Sequence, residues 1–271
     1  MDPDQFNTMP TRIKVALAQM DIVWGDPAAN LAQARSYAID AARRGADVIV
    51  LPELWSTGYD LTSAVDHAEP LTQGIFAETA RLARTQSIAI VGSCLARLGT
   101  GRIGNTAVYI DAEGRTRAIY SKTHLFRLMN EHRHLTPGSE LAFFDTGRGM
   151  AGLAICYDLR FPELFRCYAL AGADVVFLSA EWPHPRGDHW RTLVRARAIE
   201  NQMFIVACNR AGRDPDHLFC GSSCVIDPTG AVLAEADEHP ALLFAELDLA
   251  TVSKTRADIP VFADRRPELY S

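Results

Sequence analysis

Cys156 is the residue of this chain whose position best suits a nucleophile. It follows the apolar run Met150–Ile155 and precedes the segment Tyr157–Glu163, which contains Pro162. A run that is apolar on both faces is typical of a buried central strand, and proline favours the first turn of a helix. We therefore expect Cys156 at a strand-to-helix turn. There a helix N-terminus would lower the thiol pKa and supply backbone N–H groups for an oxyanion.

The other five cysteines lack such a position, and free cysteine is ordinarily a buried packing residue. Cys94 and Cys208 end apolar runs, as core residues do. The chain has no Cys-x-x-Cys pair, so neither a zinc finger nor a redox dithiol is indicated.

Two charged residues also follow predicted strands. Glu53 comes directly after the apolar segment 48–52, and Lys122 follows the segment 116–120. Burial makes a carboxylate a stronger base, and a compact ammonium can neutralise an oxyanion. Each residue alone is explained by a solvent-exposed strand end, whereas an acid, an ammonium and a thiol at three strand ends indicate a nucleophilic site.

The elements that must position these side chains fall into two similar sets. Predicted strands over 13–20 and 46–53 flank an amphipathic helix over 30–44, and strands over 150–156 and 172–180 flank a helix over 161–170. Strand, helix and strand with a short link form a βαβ unit with parallel pairing. The links 44–47 and 171–174 both contain Gly-Ala-Asp, so we interpret the sets as related halves of one domain.

Further elements complete the fold prediction. A helix over 189–201 leads into a strand over 203–208, and hairpins are predicted over 106–120 and 223–235. This mixture predicts an α/β fold of four layers, α-β-β-α, in which two packed mixed sheets carry helices on both outer faces. We expect one domain over 11–271, preceded by a disordered or extended segment over 1–10.

Composition narrows the class of partner. The 271 residues are 48% apolar with a net charge of −6, which favours a large core and argues against a nucleic-acid surface. No apolar run reaches the ~18 residues of a membrane span, and the acidic N-terminus does not resemble a signal peptide. The charge therefore favours a small-molecule substrate. Cysteines without a disulfide framework indicate a cytoplasmic protein.

Three segments resemble the nitrilase, or carbon–nitrogen hydrolase, superfamily: Leu51–Tyr59, Tyr120–Phe126 and Gly152–Glu163. The likeness extends from about residue 13 to the C-terminal tail. It implies a nitrilase-type sandwich, no metal and no cofactor. It also implies a homo-oligomer, a dimer or higher, with the tail at about 256–271 at the interface.

The resemblance also implies roles for particular residues. Glu53 corresponds to the general base, Lys122 to the oxyanion stabiliser and Cys156 to the nucleophile. Glu131, seven positions before Gly138, corresponds to a second glutamate that orients the lysine and the substrate or water; a solvated charged loop over 131–134 is the alternative. The backbone N–H of Tyr157 is expected to share the oxyanion.

Three residues are candidates for contacting the substrate. Arg160 is suited to a substrate carboxylate, although a salt bridge to Asp158 or Glu163 explains it equally well. Trp55 and Trp182 follow strand ends and either line the pocket or pack in the core.

The segments 125–132 and 157–161 resemble the ω-amidase branch of the superfamily. We therefore expect hydrolysis of a small carboxylate-bearing amide, the ω-amide of a 2-oxo acid such as 2-oxoglutaramate, through a cysteine thioester. The alternatives are an N-carbamoyl amide hydrolase, an amidase of the deaminated-glutathione type, and a non-catalytic interaction module that kept the fold.

Overall fold

Two six-stranded sheets pack face to face in the computed structural model, which describes residues 12–270. The strands are β1 (Arg12–Gln19), β2 (Val48–Val50), β3 (Ala89–Arg97), β4 (Ile103–Ile110), β5 (Thr116–Ser121), β6 (Phe143–Asp145), β7 (Met150–Ile155), β8 (Val175–Ala180), β9 (Phe204–Asn209), β10 (Cys224–Ile226), β11 (Val232–Glu235) and β12 (Ala241–Asp248). The helices are α1 (Pro27–Arg43), α2 (Ala64–His67), α3 (Gly74–Gln86), α4 (Glu131–His134), α5 (Pro162–Ala171), α6 (Gly187–Asn201) and α7 (Ala250–Asp258). The prediction for 1–10 falls outside the described residues.

The two sheets share one plan. In the order β12-β1-β2-β3-β4-β5, the strands β1, β2 and β3 are parallel and their neighbours antiparallel. In the order β6-β7-β8-β9-β10-β11, the parallel strands are β7, β8 and β9. Gly45 and Gly172, which follow α1 and α5, both have positive φ. The related halves that the sequence predicts are therefore visible in the strand order, with β12 occupying in one sheet the place of β6 in the other.

Helices cover the outer face of each sheet. Asp26 caps α1 by accepting a hydrogen bond from the N–H of Ala29 at 2.9 Å, and Pro27 occupies the first turn. Helices α1 and α3 bury Ala34, Ala38 and Phe76 in one cluster with residues of the first sheet. Helices α5 and α6 pack on the second sheet. This arrangement confirms the predicted four-layer sandwich.

Side-chain alternation along the strands fills the core between the sheets. Val15 and Leu17 of β1 face the second sheet, whereas Ala16 faces the outer helices. The ring of Tyr109 lies 4.9 Å from that of Phe144 and 5.9 Å from that of Phe177, both across the interface. This core holds fixed the strand ends that carry the functional groups.

One predicted strand is much shorter than expected. The segment 46–53 contributes only Val48–Val50 to the ladder. Pro52 has no N–H to donate, and Leu54 has φ of +43°, so the backbone turns away from the strand direction before and after Glu53. No helix within 12–270 has both the length and the apolar content needed to cross a membrane.

Candidate active site

Cys156 lies at the turn that follows β7. Its φ is +45°, and it opens a short 3-10 helix, Cys156–Arg160, that precedes α5. This conformation is uncommon outside glycine and marks functional turns. The expectation of a lowered thiol pKa was wrong: burial and the charge of Glu53 raise it well above its usual range, and Lys122 opposes them only in part.

Lys122 lies between two carboxylates at the end of β5. Its Nζ is 2.7 Å from Oε1 of Glu53 and 2.6 Å from Oε1 of Glu131, and all three side chains are fully buried. Burial disfavours the ammonium, but the charges of Glu131 and Glu53 outweigh it and raise the pKa of Lys122. Burial likewise raises the pKa of Glu131 against the opposing effect of Lys122. Glu131 is thus a buried member of this cluster rather than part of a solvated loop.

Two neutral donors hold Glu53 and Glu131 in place, and sequence reasoning missed both. The hydroxyl of Tyr59 lies 2.8 Å from Oε1 of Glu53 and 2.7 Å from Oε1 of Glu131. Burial raises the pKa of Tyr59, so the phenol stays protonated. Asn105 donates to Oε1 of Glu53 at 2.7 Å. An asparagine inside the buried strand β4 was the available signal, since buried amides need partners.

A third missed residue, Glu181, lies behind Glu53. Its backbone N–H donates to Oε2 of Glu53 at 3.0 Å, and its carboxylate accepts from Arg210 at 2.8 Å. Burial raises the pKa of Glu181 to about 8, and Arg210 opposes that rise. Glu181 directly follows β8, as an acid ending an apolar strand, which is the same signal that identified Glu53.

Asp158 connects the segments that carry Lys122 and Cys156. Its buried carboxylate accepts from the N–H of Ile155 at 2.9 Å and from the hydroxyl of Tyr120 at 2.7 Å. It also lies 2.8 Å from Nδ1 of His124. Asp158 therefore holds together the end of β7, which precedes Cys156, and the end of β5, which carries Lys122.

A narrow cleft opens in front of the thiol. Its lining consists of Phe126, Cys156, Tyr157, Arg160, Glu181, Trp182, Pro183 and Arg186. Aromatic walls with a few polar groups are typical of a site for a small molecule.

The three substrate-contact candidates have different positions. Arg160 and Trp182 line the cleft, with the guanidinium carbon 4.8 Å from the centre of the indole ring. Within 12–270, Arg160 forms no ion pair with Asp158 or Glu163; its Nη2 lies 3.2 Å from Nδ1 of His189. Trp55 packs in the outer core of the first sheet, against Gly92, so of its two alternatives the structure has core packing and not a place in the pocket lining.

The arrangement provides a buried thiol, a carboxylate that can accept its proton and an ammonium that can neutralise a nearby oxyanion. These are the parts required for acyl transfer through a covalent thioester. No group of three or more metal-ligating side chains suited to an ion occurs in the described part of the chain.

Comparisons with known proteins agree with this chemistry. The family model described as carbon-nitrogen hydrolase matches residues 14–257. A 2-oxoglutaramate amidase of Bacillus subtilis is 42% identical over 256 residues, covering 94% of this chain and 98% of the relative. The human omega-amidase NIT2 is 31% identical, covering 96% of this chain and 98% of its own. The crystal structure of Saccharomyces cerevisiae Nit3, a member of branch 10 of the nitrilase superfamily, superposes with a TM-score of 0.86 at 30% identity, covering 92% of this chain and 94% of that chain.

Proposed function

This chain belongs to the carbon–nitrogen hydrolase family and is a hydrolase, and we propose that it releases ammonia from the ω-amide of a small 2-oxo acid, with 2-oxoglutaramate as the leading substrate. The observation that carries the chemistry is the buried cluster in which Lys122 contacts both Glu53 and Glu131 beside the thiol of Cys156.

The first half-reaction forms a thioester. Glu53 takes the proton of Cys156, and the thiolate attacks the amide carbonyl. The ammonium of Lys122 and the backbone N–H of Tyr157 stabilise the oxyanion. Glu53 then gives the proton to the leaving nitrogen, so that ammonia departs and an acyl thioester remains.

The second half-reaction consumes water. Glu53 takes a proton from a water molecule, the hydroxide attacks the thioester, and the returning proton regenerates the thiol. Glu131 and Tyr59 keep Lys122 and Glu53 aligned through both steps, because each lies within hydrogen-bond distance of the ammonium or the base. The high pKa of the thiol fits this scheme, since Cys156 is to be deprotonated by its neighbour as the substrate reacts.

The substrate proposal rests on two supports. The relatives named 2-oxoglutaramate amidase and omega-amidase align over nearly the whole chain. In addition, Arg160 lies in the same cleft as Cys156, where a guanidinium suits a substrate carboxylate.

The decisive experiment measures ammonia release from 2-oxoglutaramate, N-carbamoyl amino acids and a simple nitrile. Cys156→Ala should abolish release, whereas Cys167→Ala, which changes an exposed cysteine, should leave it unchanged. Release from an N-carbamoyl compound with carbon dioxide, but not from 2-oxoglutaramate, would contradict the substrate. Absence of release from every substrate would favour the non-catalytic alternative.

Location and assembly are part of the same proposal. All six cysteines are free, which supports a reducing compartment such as the cytoplasm. We expect a homodimer or larger homo-oligomer whose interface includes the tail at about 256–271. Sedimentation of the full chain and of a chain that lacks this tail tests the expectation.

A further inference from the structure

Two guanidinium groups stand at the mouth of the cleft. Arg160 ends the 3-10 helix that begins at Cys156, and Arg186 ends the short turn His184–Arg186 that precedes α6. Both side chains are partly buried, and both line the cleft. They therefore reach the same space from two different segments, one after β7 and one after β8.

Each guanidinium lies over an aromatic ring instead of a carboxylate. The Arg160 group is 4.8 Å from the ring centre of Trp182, and the Arg186 group is 5.5 Å from that of Phe126. Across residues 12–270 neither forms an ion pair, whereas Arg191 and Arg197 nearby pair with Glu235 and Glu200. A partly desolvated guanidinium without an anion is suited to bind one from solution.

The backbone that carries Arg186 is already fixed. Nε1 of Trp182 donates to the carbonyl oxygen of Arg186 at 2.7 Å, and the N–H of Trp182 donates to Oδ1 of Asn209 at 2.7 Å. Such preorganisation reduces the entropy lost when a ligand binds.

The buried groups behind the cleft have the opposite charge. Beneath the thiol, Glu53 and Glu131 share the single ammonium of Lys122. Glu181 is already paired with Arg210. Two cations that form no ion pair within the described residues therefore line the cleft, and an excess of carboxylate lies behind the thiol.

We propose that Arg186, together with Arg160, is a specificity-determining residue that binds the carboxylate of the substrate at the mouth and so directs the uncharged amide end to Cys156. This inference rests on the proposed function and deepens it. A molecule with one carboxylate fits in one orientation only. The dicarboxylate product has a new negative charge next to Glu53, which favours its release.

The test compares kcat/KM for 2-oxoglutaramate with that for butyramide, a neutral amide. Arg186→Gln should lower kcat/KM for 2-oxoglutaramate about 10- to 100-fold, mainly through KM, because a charge-assisted hydrogen bond is lost. Butyramide hydrolysis should stay within about twofold of the wild type. Arg186→Lys keeps the charge and loses the planar fork, so its kcat/KM for 2-oxoglutaramate should lie between those of the wild type and of Arg186→Gln.

Arg84→Gln, a change on the outer helix α3, is the matched control and should affect neither substrate. Equal losses for both amides in Arg186→Gln, or no loss for either, would overturn the inference. If the wild type hydrolyses butyramide but not 2-oxoglutaramate, the proposed substrate fails. In that case, inhibition of butyramide hydrolysis by 2-oxobutanoate tests the arginines, and it must weaken at least tenfold in Arg186→Gln or the inference fails too.

Discussion

At the scale of single residues, Lys122 is what allows two carboxylates to be buried side by side. The pKa of Lys122 is raised in the folded protein. The charged ammonium therefore stabilises the fold fully at every pH below the usual pKa of lysine, and this stabilisation is lost only as the pH rises through the higher pKa of the folded state. Neutral solutions therefore contain the fully paired cluster.

Lys122→Met should lower the free energy of unfolding by about 3–5 kcal/mol near neutral pH, because two buried carboxylates lose their only shared ammonium. Burial already raises the pKa of Glu131, so the folded variant holds a proton that the unfolded chain releases. The loss should consequently shrink as the pH falls from about 8 towards the ordinary glutamate pKa of about 4.3. Urea unfolding across that range measures it. Lys254→Met, in an exposed pair, is the control, and a loss that is constant with pH would contradict the argument.

Glu53→Gln should change thiol reactivity and turnover in opposite directions. Removing the carboxylate charge lowers the pKa of Cys156 towards its usual range, so alkylation by iodoacetamide at fixed pH should be faster than in the wild type. Ammonia release should fall about 10²–10⁴-fold, because the proton acceptor is missing. Mass spectrometry of the alkylated protein gives the first rate. Glu163→Gln, which changes an exposed carboxylate, should alter neither, and slower alkylation in Glu53→Gln would refute the expected effect of the charge.

Residue patterns led to Glu53, Lys122 and Cys156, and the family resemblance led to Glu131; the fold brings all four together. Asn105 and Glu181 carried a signal in their residue type and strand position, but the sequence does not show that both act on Glu53 from distant segments. Tyr59 is close to Glu53 in the chain, whereas its second partner, Glu131, is far from it. The distance in sequence between Asn105 and Glu53, for example, gives no sign that their side chains are 2.7 Å apart. The raised pKa of Cys156 was also beyond a local pattern, since it arises from burial by other segments.

At the scale of elements, Gly138 fixes the segment that ends in Lys122. Its N–H donates to the carbonyl oxygen of Lys122 at 2.9 Å, and an added Cβ would lie 2.1 Å from the carbonyl oxygen of Ser121. Only a residue without a side chain permits this approach. The close contact with Ser121 therefore explains why glycine occupies position 138.

Gly138→Ala should force the end of β5 to move, at a cost of about 1–3 kcal/mol in unfolding free energy. Because Lys122 moves with it, kcat should fall as well. Gly187→Ala is the matched control, since its added Cβ would be 3.6 Å from Cys220, an ordinary contact. Urea unfolding and ammonia release measure the two effects. Unchanged kcat in a destabilised Gly138→Ala would show that the lysine is positioned by other contacts.

Element types were largely predictable because strands and helices of this chain have clear apolar periodicity. Their boundaries were less so: the strand expected over 46–53 is reduced to Val48–Val50. The cause is local, in Pro52 and the positive φ of Leu54, but its consequence is a longer turn that carries Glu53 towards the second sheet.

At the scale of the whole molecule, the site depends on the contact between sheets. Ser179 of the second sheet donates to the carbonyl oxygen of Leu51 at 2.8 Å, and Glu181 donates to Glu53. Glu53 and Lys122 follow strands of the first sheet, and Cys156 follows a strand of the second. Neither sheet alone contains the complete set.

Tyr109→Ala should separate stability from activity. It removes a ring packed between the sheets, which should cost about 3–5 kcal/mol in unfolding free energy. Tyr109 lines no part of the cleft, so kcat per folded molecule should remain near the wild-type value. Urea unfolding and active-site titration measure both, with Tyr109→Phe as the control that keeps the ring. A fall in kcat that matches the loss of stability would mean that the interface itself tunes the site.

The common strand order of the two sheets also relates Glu53 to Glu181. Strands β2 and β8 hold the same place in the two orders, and each is followed by one of these acids. The first acid contacts the ammonium of Lys122, and the second is paired with Arg210. The shared strand order thus brings two acids to one contact between the sheets, where the backbone N–H of Glu181 donates to the carboxylate of Glu53.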